Sequence, residues 1–298
     1  MTASPSSPLH ASTAAPPAPS TTTSTAEPAP RRLAHPALRR TSRVVVDALV
    51  TAAVVLLAWT GLLAAFDVSP YVGKGPAQVW EYLATDADAV ANRTEVLDLL
   101  GRTLLDASIG FVVGMGAALL LAAAMVLSRG AEGAILPVAM LFRSVPLIAM
   151  APVIILLVGR GVASVAVMGG IVVLFPALVT IVLGLRSSPA GVQDVVTVLG
   201  GGPRTVLRLV QLPAALPSVF AAVRISVPGA ITGALIAEWL ATGGGIGYGV
   251  VSAVGRAQNT KVWALVVVVT LASLVLYTLA QLVEQWVLSR FGPAAGRS

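Results

Sequence analysis

The sequence predicts an all-α integral membrane protein with six transmembrane helices, on three observations. The first is composition: 56% of its 298 residues are hydrophobic and 11% charged, with a mean hydropathy of +0.89. A soluble domain of this length is far less apolar. The second is that apolar residues gather into several runs of about 20 or more, enough to cross a hydrocarbon core about 30 Å thick. These runs are continuous, which excludes a barrel, whose strands alternate over about ten residues. The third is that arginines flank the runs instead of clustering on a soluble face. The net charge of +6 therefore reports orientation in a membrane and not a nucleic-acid partner. With no cysteine, disulfides and thiolate chemistry are excluded.

Residues 1–43 read as a disordered cytoplasmic tail, rich in Pro, Ser and Thr, with a basic flank of Arg31, Arg32, Arg39, Arg40 and Arg43. Almost uncharged and nearly free of large apolar side chains, its first thirty residues cannot bury enough surface to fold. The run Val44–Phe66 is too long for a cleaved signal and reads as a signal anchor. Further spans are expected at Thr103–Leu127, Ala134–Val158, Val162–Leu185, Leu216–Leu240 and Val262–Leu288, within a transmembrane domain of residues 44–290. A short tail, 291–298, then returns to the cytoplasm, so both termini are inside. Arg129, Arg186, Arg204, Arg208 and Arg290 fall on that side, as the positive-inside rule requires. Arg160, Arg256 and Lys261 are mild exceptions on the outside. The outer loop is acidic, and its segment Pro76–Leu83, with Trp80 and Tyr82, suits a short helix in the outer interface.

The one long basic break between the later runs, about residues 186–215, holds Asp194-Val195-Val196-Thr197-Val198-Leu199-Gly200 and then Val210-Gln211-Leu212-Pro213. It reads as two short helices meeting at a glycine hinge. Ser188 caps and Pro189 starts the first, and Gly200 supplies a left-handed stop. Gly202 and Pro203 open the second, which is expected to end near Pro213 because proline blocks the preceding turn. Such an element between spans is suited to contact from the cytoplasm. A plain interfacial hairpin, with Arg204 and Arg208 against lipid phosphates, does not account for the spacing.

On these residues the chain resembles the membrane permease subunits of binding-protein-dependent ABC importers. Their shared cytoplasmic motif is Glu-Ala-Ala, three residues, Gly, nine residues, Ile, one residue, Leu-Pro. Asp194, Gly200, Val210, Leu212 and Pro213 fall at those spacings. The resemblance runs from about Arg102 to Arg290. Within it, Arg143-Ser144-Val145-Pro146, Ala237-Glu238-Trp239-Leu240 and Gly245-Ile246-Gly247-Tyr248 are similar to the nitrate, sulfonate and taurine permeases. Permeases for thiamine-precursor pyrimidines are similar too. Asp194 replaces the motif's Glu, and Val195 and Val196 replace its alanines, which widens the side chains on the docking face.

The resemblance implies a type I ABC importer permease in a bacterial inner (plasma) membrane, acting as a homodimer among membrane lipid. It implies two cytoplasmic ATPase subunits that receive the first loop helix as a coupling helix. Asp194, Val195, Val196, Gly200, Val210, Leu212 and Pro213 are then the coupling residues. It also implies an extracytoplasmic substrate-binding protein that delivers a small nitrate-, sulfonate- or taurine-like anion, or a pyrimidine precursor. A P-loop needs Gly-Lys-Ser/Thr, but the only lysines are Lys74, followed by Gly75, and Lys261, followed by Val262. ATP-Mg is therefore expected in the partner, with no cofactor in this chain.

Within the spans, Arg143, Pro146 and Glu238 are candidates for the translocation path, where a buried cation such as Arg143 attracts an anion. Arg143 equally suits snorkelling to the headgroups. Glu238 either shapes the outer mouth or acts as a structural cap or ion-pair partner. Asp106 is expected to pair with Arg102 one helical turn away, and Asp47 with a nearby arginine. Gly110, Gly114 and Gly116 make a small-residue face for close packing. Gly169-Gly170 and Pro228-Gly229 mark either packing or bends near the path. The only histidines, His10 and His35, lie in the tail, so serine–histidine chemistry and His/Cys metal sites in the membrane are excluded. The remaining alternatives are a gradient-driven secondary transporter and an accessory assembly subunit, and neither explains the loop.

Overall fold

The computed structural model describes residues 36–291, with side chains described for 46–141 and 144–290. The expected disorder of the tail lies mostly outside these residues. So do the tail 291–298, apart from Phe291, the side chain of Arg143 and the arginines expected to pair with Asp47. Eleven α-helices are present among the described residues. The residues before Val55 form one unit and those from Val55 onward another. The first unit carries the beginning of α1 (Pro36–Ala65), which starts at Pro36, ahead of the expected Val44. Its Leu49 and Val50 are exposed, as a lipid-facing helix requires.

In the second unit the long helices α3 (Ala89–Leu127), α6 (Val162–Arg186) and α9 (Leu212–Ala237) pack on one another. Their alanine-rich faces permit this approach: Ala118 and Ala122 of α3, Ala177 of α6 and Ala215 and Ala222 of α9 are all buried. The closest contact is a three-way glycine junction. A Cβ added at Gly110 would stand 2.7 Å from Gly169 Cα, and one at Gly233 also 2.7 Å from Gly169 Cα. Gly114 meets Val173 as closely, whereas Gly116 faces open space and takes no part. Gly169-Gly170 is thus a packing surface, and α6 runs through it unbroken. Helix α11 (Asn259–Phe291) lies against α9, and α10 (Gly245–Gly255) is wedged against α3 and α11.

Among the described residues, five helices are long and apolar enough to cross a membrane. They correspond to five of the six expected spans, several with longer ends. Helix α3 begins at Ala89 and not Thr103, because the polar stretch Asn92–Asp98 continues the helix beyond the apolar run. The expected span Ala134–Val158 is instead two shorter helices, α4 (Arg129–Ser144) and α5 (Leu147–Val158). They are separated by Val145 (φ −89°, ψ 124°) and Pro146 (φ −59°, ψ 124°), both extended. Proline removes a helical donor and pushes its predecessor out of the α region, more readily when that residue is β-branched. The expected interface helix is present as α2 (Pro76–Trp80), continued by a π-helical turn at Glu81–Thr85.

Two more wide turns bracket α9. Leu207–Gln211 joins it to α8 (Pro203–Val206), and Glu238–Thr242 follows its other end. The helical run therefore extends over Pro203–Thr242 and does not end near Pro213. In the wide turn Leu212 N–H donates to Leu207 O, five residues back. The ring of Pro213 is then accommodated in a helix loosened just before it.

Candidate functional site

The loop expected to contact the cytoplasm forms α7 (Ala190–Val198), a tight reversal, and α8. Helix α7 is closed by hydrogen bonds that only glycine permits here. Gly200 has φ +86°, its N–H donates to Thr197 O (3.0 Å), and Gly201 N–H donates to Val196 O (2.9 Å). This pair of bonds is a Schellman stop. A Cβ on Gly201 would lie 2.6 Å from Val196 Cγ1, so the second position is restricted by space as the first is by φ.

The start of α7 differs from expectation. Pro189 is the N-cap and the helix begins at Ala190, with no side-chain cap. Ser188 is buried instead and donates to Leu185 O (3.2 Å). Gln193 Nε2 donates to Ser188 Oγ (2.8 Å) and Ser188 O (3.1 Å), while Gln211 Nε2 donates to Gln193 Oε1 (3.5 Å). One glutamine thus ties α7 to the end of α6 and to the base of α9.

The other face of α7 is unpartnered. Val192, Val195 and Val198, spaced three apart, are exposed together with Leu199 (82%). Asp194 sits exposed beside them, its carboxylate with no side-chain hydrogen bond or ion pair among the described residues. The motif residues therefore divide by role. Asp194 and Val195 face outward, Val196 and Gly200 shape the reversal, and Val210 is buried beneath the loop. Leu212 and Pro213 open α9 at its surface.

A cavity of about 820 Å³ opens between α3, α4, α5 and α6, with apolar walls that include Met140, Pro146 and Phe175. Pro146 lines it at the α4–α5 break. Glu132 and Arg186 are at the end nearest α7, with Arg186 Nη2 2.8 Å from Glu132 Oε1.

Glu238 is elsewhere, and fully buried. Its Oε2 accepts from Gly247 N–H (2.7 Å), while Thr103 Oγ1 accepts from Ile246 N–H (2.8 Å). Two side chains from neighbouring helices thus cap α10, and a carboxylate at a helix N-terminus is stabilising. The expected Arg102–Asp106 pair does not form, and the Arg102 guanidinium lies against Gly244. An ion pair missed from the sequence does form between α9 and α11. Arg224 Nε is 3.3 Å from Glu284 Oε2, and its guanidinium carbon is 5.9 Å from the Tyr277 ring centroid. Opposite charges embedded in two apolar runs were the available signal.

The fold and the loop define a polytopic helical membrane protein that holds out an apolar helix beside a cavity. Residues 110–290 match the family of binding-protein-dependent transport system inner membrane components. A probable ABC transporter permease protein of Haemophilus influenzae is 30% identical over 80% of this chain and 93% of its own length. The riboflavin transport system permease RibX of Chloroflexus aurantiacus is 32% identical over 53% of this chain and 59% of its own. The taurine transport permease TauC of Escherichia coli is 29% identical over 71% and 78%. A chain of the MetNI methionine ABC transporter, solved in inward-facing conformations, shares the fold with a TM-score of 0.50 and 19% identity. That likeness covers 68% of this chain and 99% of the MetNI chain. The chain belongs to the binding-protein-dependent inner membrane component family. It is a multi-pass transport permease subunit of an ABC importer in the bacterial inner membrane.

Proposed function

We propose that this chain is the membrane-spanning half of an ATP-driven importer, that two copies form the pathway, and that α7 is the coupling helix for a cytoplasmic ATPase. One observation carries this reading. A helix that turns Val192, Val195, Val198 and Leu199 outward, while fixed from behind by Gln193 and Gly200, is a docking element missing its cleft. Closure of the ATPases on ATP-Mg would draw the loops of the two copies together, biasing a two-state bundle. Residues 44–290 then form the permease domain, with α4 and α5 together as the sixth crossing and both termini inside. A binding protein supplies the solute on the outer side, and Arg143 and Pro146 border its path, Pro146 through the cavity.

The solute in this reading is a small sulfonate- or taurine-like anion, in line with the taurine permease among the relatives. A pyrimidine precursor is the second reading, in line with a formylaminopyrimidine transport permease that is 30% identical over 50% of this chain. The test is a mild-detergent pull-down of the tagged chain from its host, with and without Gly200→Pro. That substitution removes the N–H that Thr197 O accepts and forbids φ +86°. A P-loop ATPase recovered with the parent and lost from an inserted, folded variant is the expected result. No ATPase in a folded parent preparation would overturn the reading. Binding proteins recovered in the same pull-down can be titrated with taurine and with an aminopyrimidine.

A further inference from the structure

Between α4 and the end of α6 the structure carries an ion pair that the reading above leaves unused. We propose that Glu132 and Arg186 are positioning residues for transport: a latch that holds α4 across the cavity and releases it when α7 is displaced. The link to α7 rests on the importer reading, while the latch itself rests on this chain alone.

Helix α4 is built to move. It is joined to α5 through extended Val145 and Pro146, and to α3 through Ser128, which is also extended (φ −145°, ψ 120°). Its Val138, Met140 and Leu141 are exposed. Glu132 in its first turn reaches Arg186, the last residue of α6, and both line the cavity between the two helices. The side chains are 46% (Arg186) and 32% (Glu132) exposed. A partly hydrated pair is weak and therefore reversible, whereas a buried one would fix the wall.

The pair is also wired to α7. Ser187 N–H donates to Leu183 O, Ser188 Oγ–H donates to Leu185 O, and Gln193 of α7 donates to Ser188. These bonds make the end of α6 and the start of α7 one body, so a shift of α7 carries the Arg186 guanidinium with it. A simpler role competes with this one. Glu132 suits the N-terminal dipole of α4 and Arg186 the C-terminal dipole of α6, each without the other. Exchanging the charges separates the two accounts, because it restores the pair and opposes both dipoles.

The chain has no cysteine, so Thr180→Cys places a single thiol in the cavity wall. Its labelling by a water-soluble maleimide is compared in native membranes for that parent, for Glu132→Gln and for Glu132→Arg with Arg186→Glu. We expect Glu132→Gln to raise the rate about threefold, the population change due to one partly exposed pair, and the exchange to return it to the parent value. An unchanged rate in Glu132→Gln, or an exchange labelled as fast as Glu132→Gln, overturns the latch. In the purified complex, ATP-Mg with vanadate should change the parent's rate and leave that of Glu132→Gln unchanged. Equal responses overturn the link to α7. Labelling without nucleotide needs no partner, so its failure is distinct from failure to recover an ATPase.

Discussion

Glu238 and Thr103 come from different helices and cap a third, so each can be removed separately. Glu238→Ala would leave Gly247 N–H without an acceptor in a buried place, at a cost of about 1–3 kcal/mol. Glu238→Gln keeps an acceptor oxygen and should be mild. Thermal unfolding in detergent reads the difference, and equal midpoints would remove the capping role. Arg224 and Glu284 call for the opposite comparison. Replacing Arg224 alone by Leu strands Glu284, so it should cost more than replacing both. Residues of this kind were only partly legible in the sequence. A buried carboxylate ahead of a glycine-rich turn pointed to a cap, but Thr103 lies 143 residues from Ile246, and local spacing holds no trace of their contact. The local Arg102–Asp106 spacing suggested a pair that tertiary packing replaced with a contact to Gly244.

At the scale of elements, the glycine junction makes a clean contrast. Gly169→Ala puts a methyl 2.8 Å from Gly110 Cα, backbone that cannot give way, and should destabilise by about 1–3 kcal/mol. Gly116→Ala meets nothing within 4 Å and should be neutral or stabilising by up to about 1 kcal/mol. Equal effects at the two sites would show that the close approach at Gly169 does not set the cost. The four-residue spacing of Gly110 and Gly114 announced such a face, although it did not say that α6 was the partner. Helix boundaries were less legible because hydropathy marks the lipid-crossing part, and helices continue past it, as α3 does through Asn92–Asp98. Helix α10 starts in a glycine-rich stretch, where local sequence favours a turn over a helix. Its glycines at 245, 247 and 249 are the residues that let it pack against Glu238, Leu235 and Leu99, so a feature that normally breaks helices here admits one.

For the whole molecule, the question is whether the outward face of α7 serves the fold or the complex. Val198 is 85% exposed, so Val198→Glu should leave stability within about 0.5 kcal/mol of the parent. The same variant should lose the ATPase in the pull-down and lose uptake in cells. Retention of both would remove α7 from the docking role. The shape of this loop was legible because a helix stop, a proline-led restart and the intervening spacing are local properties of the chain. The Ser188–Gln193–Gln211 anchor was not, because it forms only once α6, α7 and α9 are brought side by side.

The wide turn at Leu207–Gln211 also sets an angular register. Its extra residue lies between the reversal that carries α7 and the long helix that crosses the bundle. Wound as ordinary α-helix, the same residues would turn further about the axis, because each advances about 100° there and less in a wide turn. Everything on the α7 side would then be rotated about the axis of α9. Every contact within the bundle could survive that rewinding, yet Val195 and Val198 would present themselves to the wrong side. In this chain a single turn of backbone fixes the compass bearing of the docking face, independently of how well the face itself is made.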